Sequence, residues 1–271
     1  MSTKSVVTMW VVLLLVFTGH AQEARRVVSL APSVTEIIYS VGGKGQLVGC
    51  TSYCKQAVND GVEQVGSTVD INVEKLFSLQ PDLVLAMELT KPQDIAALKK
   101  LGIHVEQFSS PQNFNEICEQ TLQIAALIGK SGQAQKLLDE TKRKVTAIRQ
   151  KASTLEHKKV FFQIGANPIF SVLRNTFMND FITICNGENI AADLSRGTMT
   201  RESVLLRNPD VIIIATMGGF GEEEQKVWNG YGQISAVAGQ KVFLIDSETS
   251  CSPTPLAFVS ALEDVFRFMS E

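Results

Sequence analysis

The chain has 271 residues, with 25 lysines and arginines against 28 aspartates and glutamates, a net charge of −3. A nucleic-acid binder would show a basic surplus and basic clusters, and this sequence has neither. The length suffices for two modest lobes or one large one.

The first residues read as a targeting segment. Lys4 gives a short positive start, and Val6 to Phe17 is an apolar run too short to span a bilayer comfortably. Gly19-His20-Ala21 then offers small residues around a signal-peptidase site, so cleavage is expected near Ala21-Gln22. Residues 1–21 are the expected signal peptide, and the mature chain is expected in the periplasm and not embedded in a membrane. The alternative is an uncleaved anchor. No Cys follows the apolar run, which leaves no lipid attachment site there.

Val27 to Leu30 reads as a short buried strand, and Ala31-Pro32-Ser33 as a turn. Ser33 or Thr35 is the expected cap of a helix from Glu36 to Val41. Leu47 to Cys50 is a second strand leading into a loop from Thr51 to Asn59. Asn72 caps a helix over 73–79, Leu83 to Met87 is a third strand, Pro92 to Leu101 a helix and Val105 to Phe108 a fourth strand. Phe114 to Ile128 is a helix. This alternation predicts an α/β fold with a mostly parallel sheet flanked by helices.

Gln133 to Leu155 reads as one long helix. Ala134, Leu137, Leu138, Thr141, Val145, Ile148, Ala152 and Leu155 recur at steps of three and four and form one stripe. The other faces are charged. About 23 residues at ~1.5 Å rise span roughly 35 Å, the width of a small domain. Two α/β lobes, residues 22–130 and 158–271, are therefore expected at the two ends of a linking helix over residues 131–157.

Alternation resumes after it. Val160 to Gly165 is a strand, Asn167-Pro168 a turn, and Asn175 to Cys185 a helix. Thr200 caps a helix over 201–206, Val211 to Thr216 is a strand, and Met217 to Gly221 a Gly-rich loop. Val242 to Asp246 is a strand and Pro255 to Met269 the last helix. Trp228, the one mature tryptophan, is grouped with Phe220 and Tyr231.

Two segments of this series match. Asn72-Val73-Glu74 leads through Pro81-Asp82 into a buried strand, and Thr200-Arg201-Glu202 leads through Pro209-Asp210 into another. The spacing from Glu74 to Glu202 equals that from Asp82 to Asp210, as two similarly built lobes would give. Each glutamate suits a helix start through the helix dipole. The matched placement also presents one carboxylate per lobe on equivalent exposed corners, which fits a two-fold symmetric partner.

No reactive constellation stands out. Gly42-Gly43-Lys44-Gly45 lacks phosphate-loop spacing, no G-x-S-x-G elbow is present, and the mature chain keeps only His104 and His157. No catalytic residues, metal site or resident cofactor are expected. Five cysteines leave at least one thiol free; Cys54 and Cys251 either pair or stay free. In open parallel sheets ligands sit beyond the carboxyl ends of the strands. Pro32, Ser33, Tyr53, Met87 and Glu88 fall on such loops of the first half. Asn167, Met217, Gly218, Cys251 and Ser252 do so in the second. Little charge among these loops suits a large, mostly neutral ligand.

The mature chain resembles the substrate-binding proteins of ABC importers for cobalamin, haem and iron–siderophore complexes, and is most similar to their cobalamin-binding branch. Ser29 to Glu36, the stretch from Val65 to Ala86, Phe162 to Pro168, Cys185 to Ile190 and Thr200 to Asp210 carry the resemblance. It implies two lobes on one long helix, a corrinoid ligand in the cleft and delivery by a monomer to a permease dimer. It implies that Glu74 and Glu202 dock on permease arginines and that Tyr53 lines the ligand pocket. The branch often places tryptophans near Val69 and near Ser195-Arg196-Gly197, where this chain has none; Val69, Asp70 and Arg196 are still expected to contact the ligand. The family's partner for Cys185 would fall near Glu263-Asp264, and no Cys is there. Haem or an iron–siderophore complex is the alternative ligand.

Overall fold

A computed structural model describes residues 23–271 apart from Thr216. The targeting segment with its cleavage point, and Thr216 at the expected end of a strand, lie outside the described residues.

The first lobe runs β1 (Val27–Ser29), α1 (Pro32–Ser40), β2 (Leu47–Cys50), α2 (Lys55–Asn59), β3 (Glu63–Gln64), α3 (Val73–Ser78), β4 (Leu83–Met87), α4 (Pro92–Lys100), β5 (Val105–Phe108). Its sheet is all parallel in the order β3-β2-β1-β4-β5. The apolar runs of β1 and β4 are buried on both faces, as a helix-covered parallel sheet requires. Val27, Leu83 and Leu85 enter one core, and Val28, Val84 and Ala86 the other.

Two long helices follow, α5 (Phe114–Leu127) and α6 (Ser131–Ala152). The second lobe then runs β6 (Lys158–Ala166), β7 (Ile169–Ser171), α7 (Asn179–Ile184), β8 (Gly187–Asn189), β9 (Thr198–Met199), α8 (Arg201–Arg207), β10 (Val211–Ala215). It ends with α9 (Gly221–Asn229), α10 (Ser235–Ala238), β11 (Val242–Ile245), α11 (Ser247–Ser250) and α12 (Pro255–Ser270). β11, β10, β6 and β8 are parallel, while β7 and β9 add an antiparallel flap beside the carboxyl end of β6.

The linking helix is present, buried at Ala134, Leu138, Thr141, Val145, Ile148 and Ala152. Leu155 lies beyond its end. The joint is broader than one helix. Ala134 of α6 and Ile124 and Ala125 of α5 belong to a core of the first lobe. Leu138, Val145 and Ile148 of α6, with Phe114, Ile117 and Cys118 of α5, belong to a core of the second. Phe258 of α12 seals the junction, its ring 4.6 Å from Phe114 and 4.8 Å from Phe181.

The sequence repeat is structural in detail. Asp82 accepts hydrogen bonds from the backbone N–H groups of Arg25 and Arg26, both at 2.9 Å, and Asp210 from that of Lys159 at 2.8 Å. Each aspartate thus ties the start of one strand to the start of its neighbour. The residues two before them, Gln80 and Asn208, both turn through left-handed backbone with φ of 47° and 44°. Asn72 and Thr200 cap α3 and α8.

Several local expectations are corrected. Ser33 and Thr35 do not cap α1; the helix starts earlier at Pro32, whose fixed φ suits a first helical position. α2 occupies the loop expected over 51–59. The helix expected over 175–185 shortens to α7. α9 follows the Gly-rich turn directly, its three opening glutamates favouring a helix start. Trp228 is fully buried on Phe161 and Tyr231, while Phe220 is exposed, so the expected patch does not form.

Three consequences are testable. Phe258→Ala is expected to cost ~3–5 kcal/mol in urea unfolding, because the aromatic junction leaves a cavity shared by α5, α7 and α12. With both α5 and α6 embedded in both cores, ligand binding is expected to rotate the lobes only slightly; X-ray scattering of free and loaded protein should nearly superimpose. Asp180 accepts the Phe114 N–H at 2.9 Å, and burial raises its carboxyl above the usual range. A raised native pKa means the folded state holds this proton more tightly, so this group's contribution falls as pH rises through it. Asp180→Asn keeps an acceptor and removes the buried charge. Its thermal midpoint is expected to exceed the parent's at neutral pH, with the gain vanishing in acid.

Candidate functional site

A cavity of about 530 Å³ lies between the lobes, beyond the carboxyl ends of β1, β2 and β11. The first lobe supplies Pro32, Ser33, Thr35 and Glu36 from α1, Tyr53 and Cys54 from the β2–α2 connection, and Lys55 and Gln56 from α2. The second supplies Ser247 and Glu248 of α11 and the following Cys251 to Pro253. A larger cavity of about 700 Å³ sits among Glu23, Asp82, His104, Phe108 and Leu127. It is built by the first lobe and α5, at the amino end of β4, away from the cleft. The interlobe cavity is the candidate site because both lobes build it at the strand ends where open parallel sheets bind ligands.

Direct contacts cross it. Ser252 Oγ donates to Glu36 Oε2 at 2.6 Å, and Thr254 Oγ1 to the same oxygen at 3.3 Å. Lys55 pairs with Glu248 over the opening, both side chains largely exposed. Asp246 caps α11 through Thr249, whose hydroxyl donates at 2.7 Å and holds the carboxylate below its ordinary pKa. That cap orients the turn carrying Glu248, Cys251 and Ser252.

The rim is apolar. Tyr53, Val69, Leu89 and Phe220 follow β2, β3, β4 and β10 respectively, and each is more than half exposed. They stand in water on four cleft-side loops. Of the four, Tyr53 lines the cavity, and the others stand on loops at the same strand ends.

Of the sequence-predicted residues, the cavity brings together Pro32, Ser33, Tyr53, Cys251 and Ser252. The others lie outside its lining. Val69 and Asp70 form the β3–α3 loop, where Asp70 pairs with Lys91 at 3.2 Å. Met87 is buried at the end of β4, and Glu88 accepts from the Ser110 N–H at 3.2 Å. Asn167 is exposed in the β6–β7 turn, and Arg196 is exposed ahead of β9. Met217 and Gly218 form a short turn after β10, Gly218 with φ of 70°. Sequence reasoning missed Glu36, Lys55 and Glu248, so the cavity carries more charge than expected. Glu36 was legible: it follows Pro32 and Ser33 by four and three residues, hence shares their helix face. Lys55 and Glu248 gave no such signal. All five cysteines are free, and Cys54 and Cys251 face the same cavity unbonded.

Glu74 and Glu202 each sit second in a capped helix and are exposed. Hydrogen bonds from its own backbone N–H, then from Thr200, lower the Glu202 carboxyl below its ordinary range. Arg201 beside it bonds Glu224 at 2.9 and 3.0 Å. Glu224 in turn accepts from Gln163 at 2.9 Å, and Gln163 accepts from the Trp228 indole at 2.7 Å. This buried chain ties α8 to α9.

Among the described residues no helix is long and apolar enough to cross a membrane. No group of three or more His, Cys, Asp or Glu among them could hold a metal ion. The profile of the periplasmic binding protein family matches residues 27–249. The chain belongs to that family. As a periplasmic binding protein it is 34% identical over 238 residues to an uncharacterised ABC-transporter substrate-binding lipoprotein of Bacillus subtilis, covering 84% of this chain and 74% of that one. It is 32% identical over 209 residues to a vitamin B12-binding protein of Yersinia pestis, covering 76% and 74%. The solved periplasmic vitamin B12-binding protein of Vibrio cholerae superposes with a TM-score of 0.77 at 26% identity, covering 91% of this chain and 97% of that one.

Both side chains of the Lys55–Glu248 bridge are largely exposed, so in this periplasmic binding protein the bridge contributes little to folding. Replacing both by Ala is expected to cost no more than ~1 kcal/mol in urea unfolding, because exposed pairs exchange charge contact for hydration.

Proposed function

We propose that this protein is exported, loses residues 1–21 near Ala21-Gln22, and acts in the periplasm as a monomeric corrinoid carrier. Its two lobes, residues 22–130 and 158–271 on the linking helix 131–157, take the ligand in the cleft and hand it to an ABC permease dimer. The two-lobe cavity walled by exposed Tyr53, with exposed Val69, Leu89 and Phe220 on other loops at the carboxyl strand ends, carries this reading. A corrinoid offers a broad macrocycle with apolar faces and an amide-bearing edge. The rim suits the faces, and Ser33, Glu36, Gln56 and Ser252 suit the amides. A ligand of that size exceeds the 530 Å³ cavity, so it would part the Lys55–Glu248 bridge and rest against the rim. Similarity to a vitamin B12-binding protein supports the same ligand class. The role is transport, with no reaction assigned to the cleft.

Haem is the second reading, and the Tyr53 phenol on the cavity favours it, since a phenolate can ligate ferric iron. An anionic ferric siderophore suits the cavity less: Lys55 is its one cation, and Arg196 lies outside the lining. Purified protein incubated with cyanocobalamin, haemin or a ferric siderophore, then desalted and scanned, separates these. Retained corrinoid absorbance is expected. Retained haemin alone, lost in Tyr53→Phe, would replace the corrinoid reading with the second.

Glu74 and Glu202 are the proposed contacts to permease arginines. Their exposed positions at matched helix starts support this. A Glu74→Ala, Glu202→Ala double variant is expected to keep ligand binding and thermal midpoint while losing uptake by roughly tenfold or more. Normal uptake with a lowered midpoint would reduce both glutamates to helix-start acids.

A further inference from the structure

The seam between the lobes does not end at the cleft cavity. A second cavity of about 310 Å³ lies beside it. Its walls include Glu36 and Tyr39 of α1, Gln56 of α2, Thr254, and Leu256 and Ala257 of α12, so both lobes build it. Glu36 and Gln56 line both cavities. Ser252 lines the first and Thr254 the second, and both donate to one oxygen, Glu36 Oε2, at 2.6 and 3.3 Å. The Glu36 carboxylate therefore stands at the partition, bonded from either side.

Two polar groups at that partition are uncommitted. Among the described residues no hydrogen bond ends on Glu36 Oε1, and the exposed Gln56 carboxamide makes none. A carboxylate oxygen only accepts, whereas a carboxamide both donates and accepts. The other walls of the second cavity are more apolar. The Tyr39 hydroxyl is already spent on Asp60 at 2.7 Å, Leu256 is 52% exposed, and Ala257 stands beside it. No Lys, Arg or His lines this cavity, so nothing in it holds an anion.

We propose that this second cavity is a subsite of the cleft, taking a carboxamide-terminated arm of the ligand whose ring rests in the first. Inside it the arm's N–H donates to Glu36 Oε1, and Gln56 pairs with the amide oxygen. Leu256 and the Tyr39 ring cover the arm's apolar sides. A carboxylate-terminated arm would face Glu36 with no cation to offset it, so the subsite separates amide arms from acid arms. The subsite rests on the corrinoid reading of the cleft, because the corrinoid is what brings an amide edge.

Leu256 lines the second cavity and not the first, so it isolates the subsite. The full mature protein, Leu256→Trp, which fills the cavity, and Leu256→Ala, which leaves it open, are each titrated with cyanocobalamin by equilibrium dialysis. Leu256→Trp is expected to bind roughly tenfold or more weakly, as for one lost hydrogen bond to a charged group, while Leu256→Ala stays within about threefold of the parent. The thermal midpoints of the three free proteins are expected to agree. Equal affinity in the parent and Leu256→Trp would overturn the subsite and leave the corrinoid reading standing. Equal losses in both variants would trace to α12 itself and overturn it too. A parent that retains no corrinoid would remove the corrinoid reading and the subsite together. Where Leu256→Trp does not fold, the parent decides the matter with cyanocobalamin monocarboxylic acids, in which one amide is hydrolysed. One isomer is expected to bind roughly tenfold or more weakly than cyanocobalamin and to recover in Glu36→Gln. Equal binding of every isomer would overturn the proposal.

Discussion

The structure depends on one shared surface: the apolar stripes of α5 and α6, each buried in the core of both lobes. Ile124, Ala125 and Ala134 serve the first lobe, while Phe114, Ile117, Leu138 and Val145 serve the second. Neither helix can rotate without uncovering apolar area in two cores at once. Uncovering costs roughly 25 cal/mol per Å², so modest rotations are already expensive. The cleft therefore has walls set largely by folding. Ligand access then falls to small groups at the opening, the Lys55–Glu248 bridge and the bonds from Ser252 and Thr254 to Glu36.

The same brace fixes where the repeated unit points. In each lobe a capped helix leads through a left-handed residue and a Pro-Asp turn into a central strand. The aspartate ties that strand to the first strand of the lobe. This explains both aspartates by structure alone. The glutamates at the helix starts make no comparable tertiary contact and point to water. On the second lobe the helix is further held by Arg201, which meets Glu224 and lies 4.6 Å over the Trp228 ring. Since α9 follows the turn after β10, this network joins a cleft loop to the helix bearing Glu202.

The cleft combines exposed apolar side chains at its strand-end loops with charged contacts across its opening. Tyr53, Val69, Leu89 and Phe220 stay in water in the free protein, a cost that covering them would relieve. Glu36, Lys55 and Glu248 already satisfy one another's lobes across the gap. A ligand entering between them must replace those contacts with its own polar edge, which gives selectivity against a purely apolar molecule.

The sequence by itself determined the alternation of strands and helices, because unbroken apolar runs and capped helix starts are local features. It determined the long helix, because its stripe has a period that only a helix satisfies. It determined the paired lobes through the matched Asn72–Asp82 and Thr200–Asp210 segments. Pro32, Ser33, Tyr53, Cys251 and Ser252 were reachable from one rule about strand ends. Tertiary structure alone decided that α5 joins α6 as a brace, since Phe114 and Ile117 carry no mark of which lobe they will enter. It alone brought Glu36 to Ser252 and Lys55 to Glu248, for no local pattern encodes which surfaces face each other across a cleft. It also decided that Trp228 would be core: its indole needed the Gln163 carboxamide, a partner 65 positions away that only the folded sheet supplies.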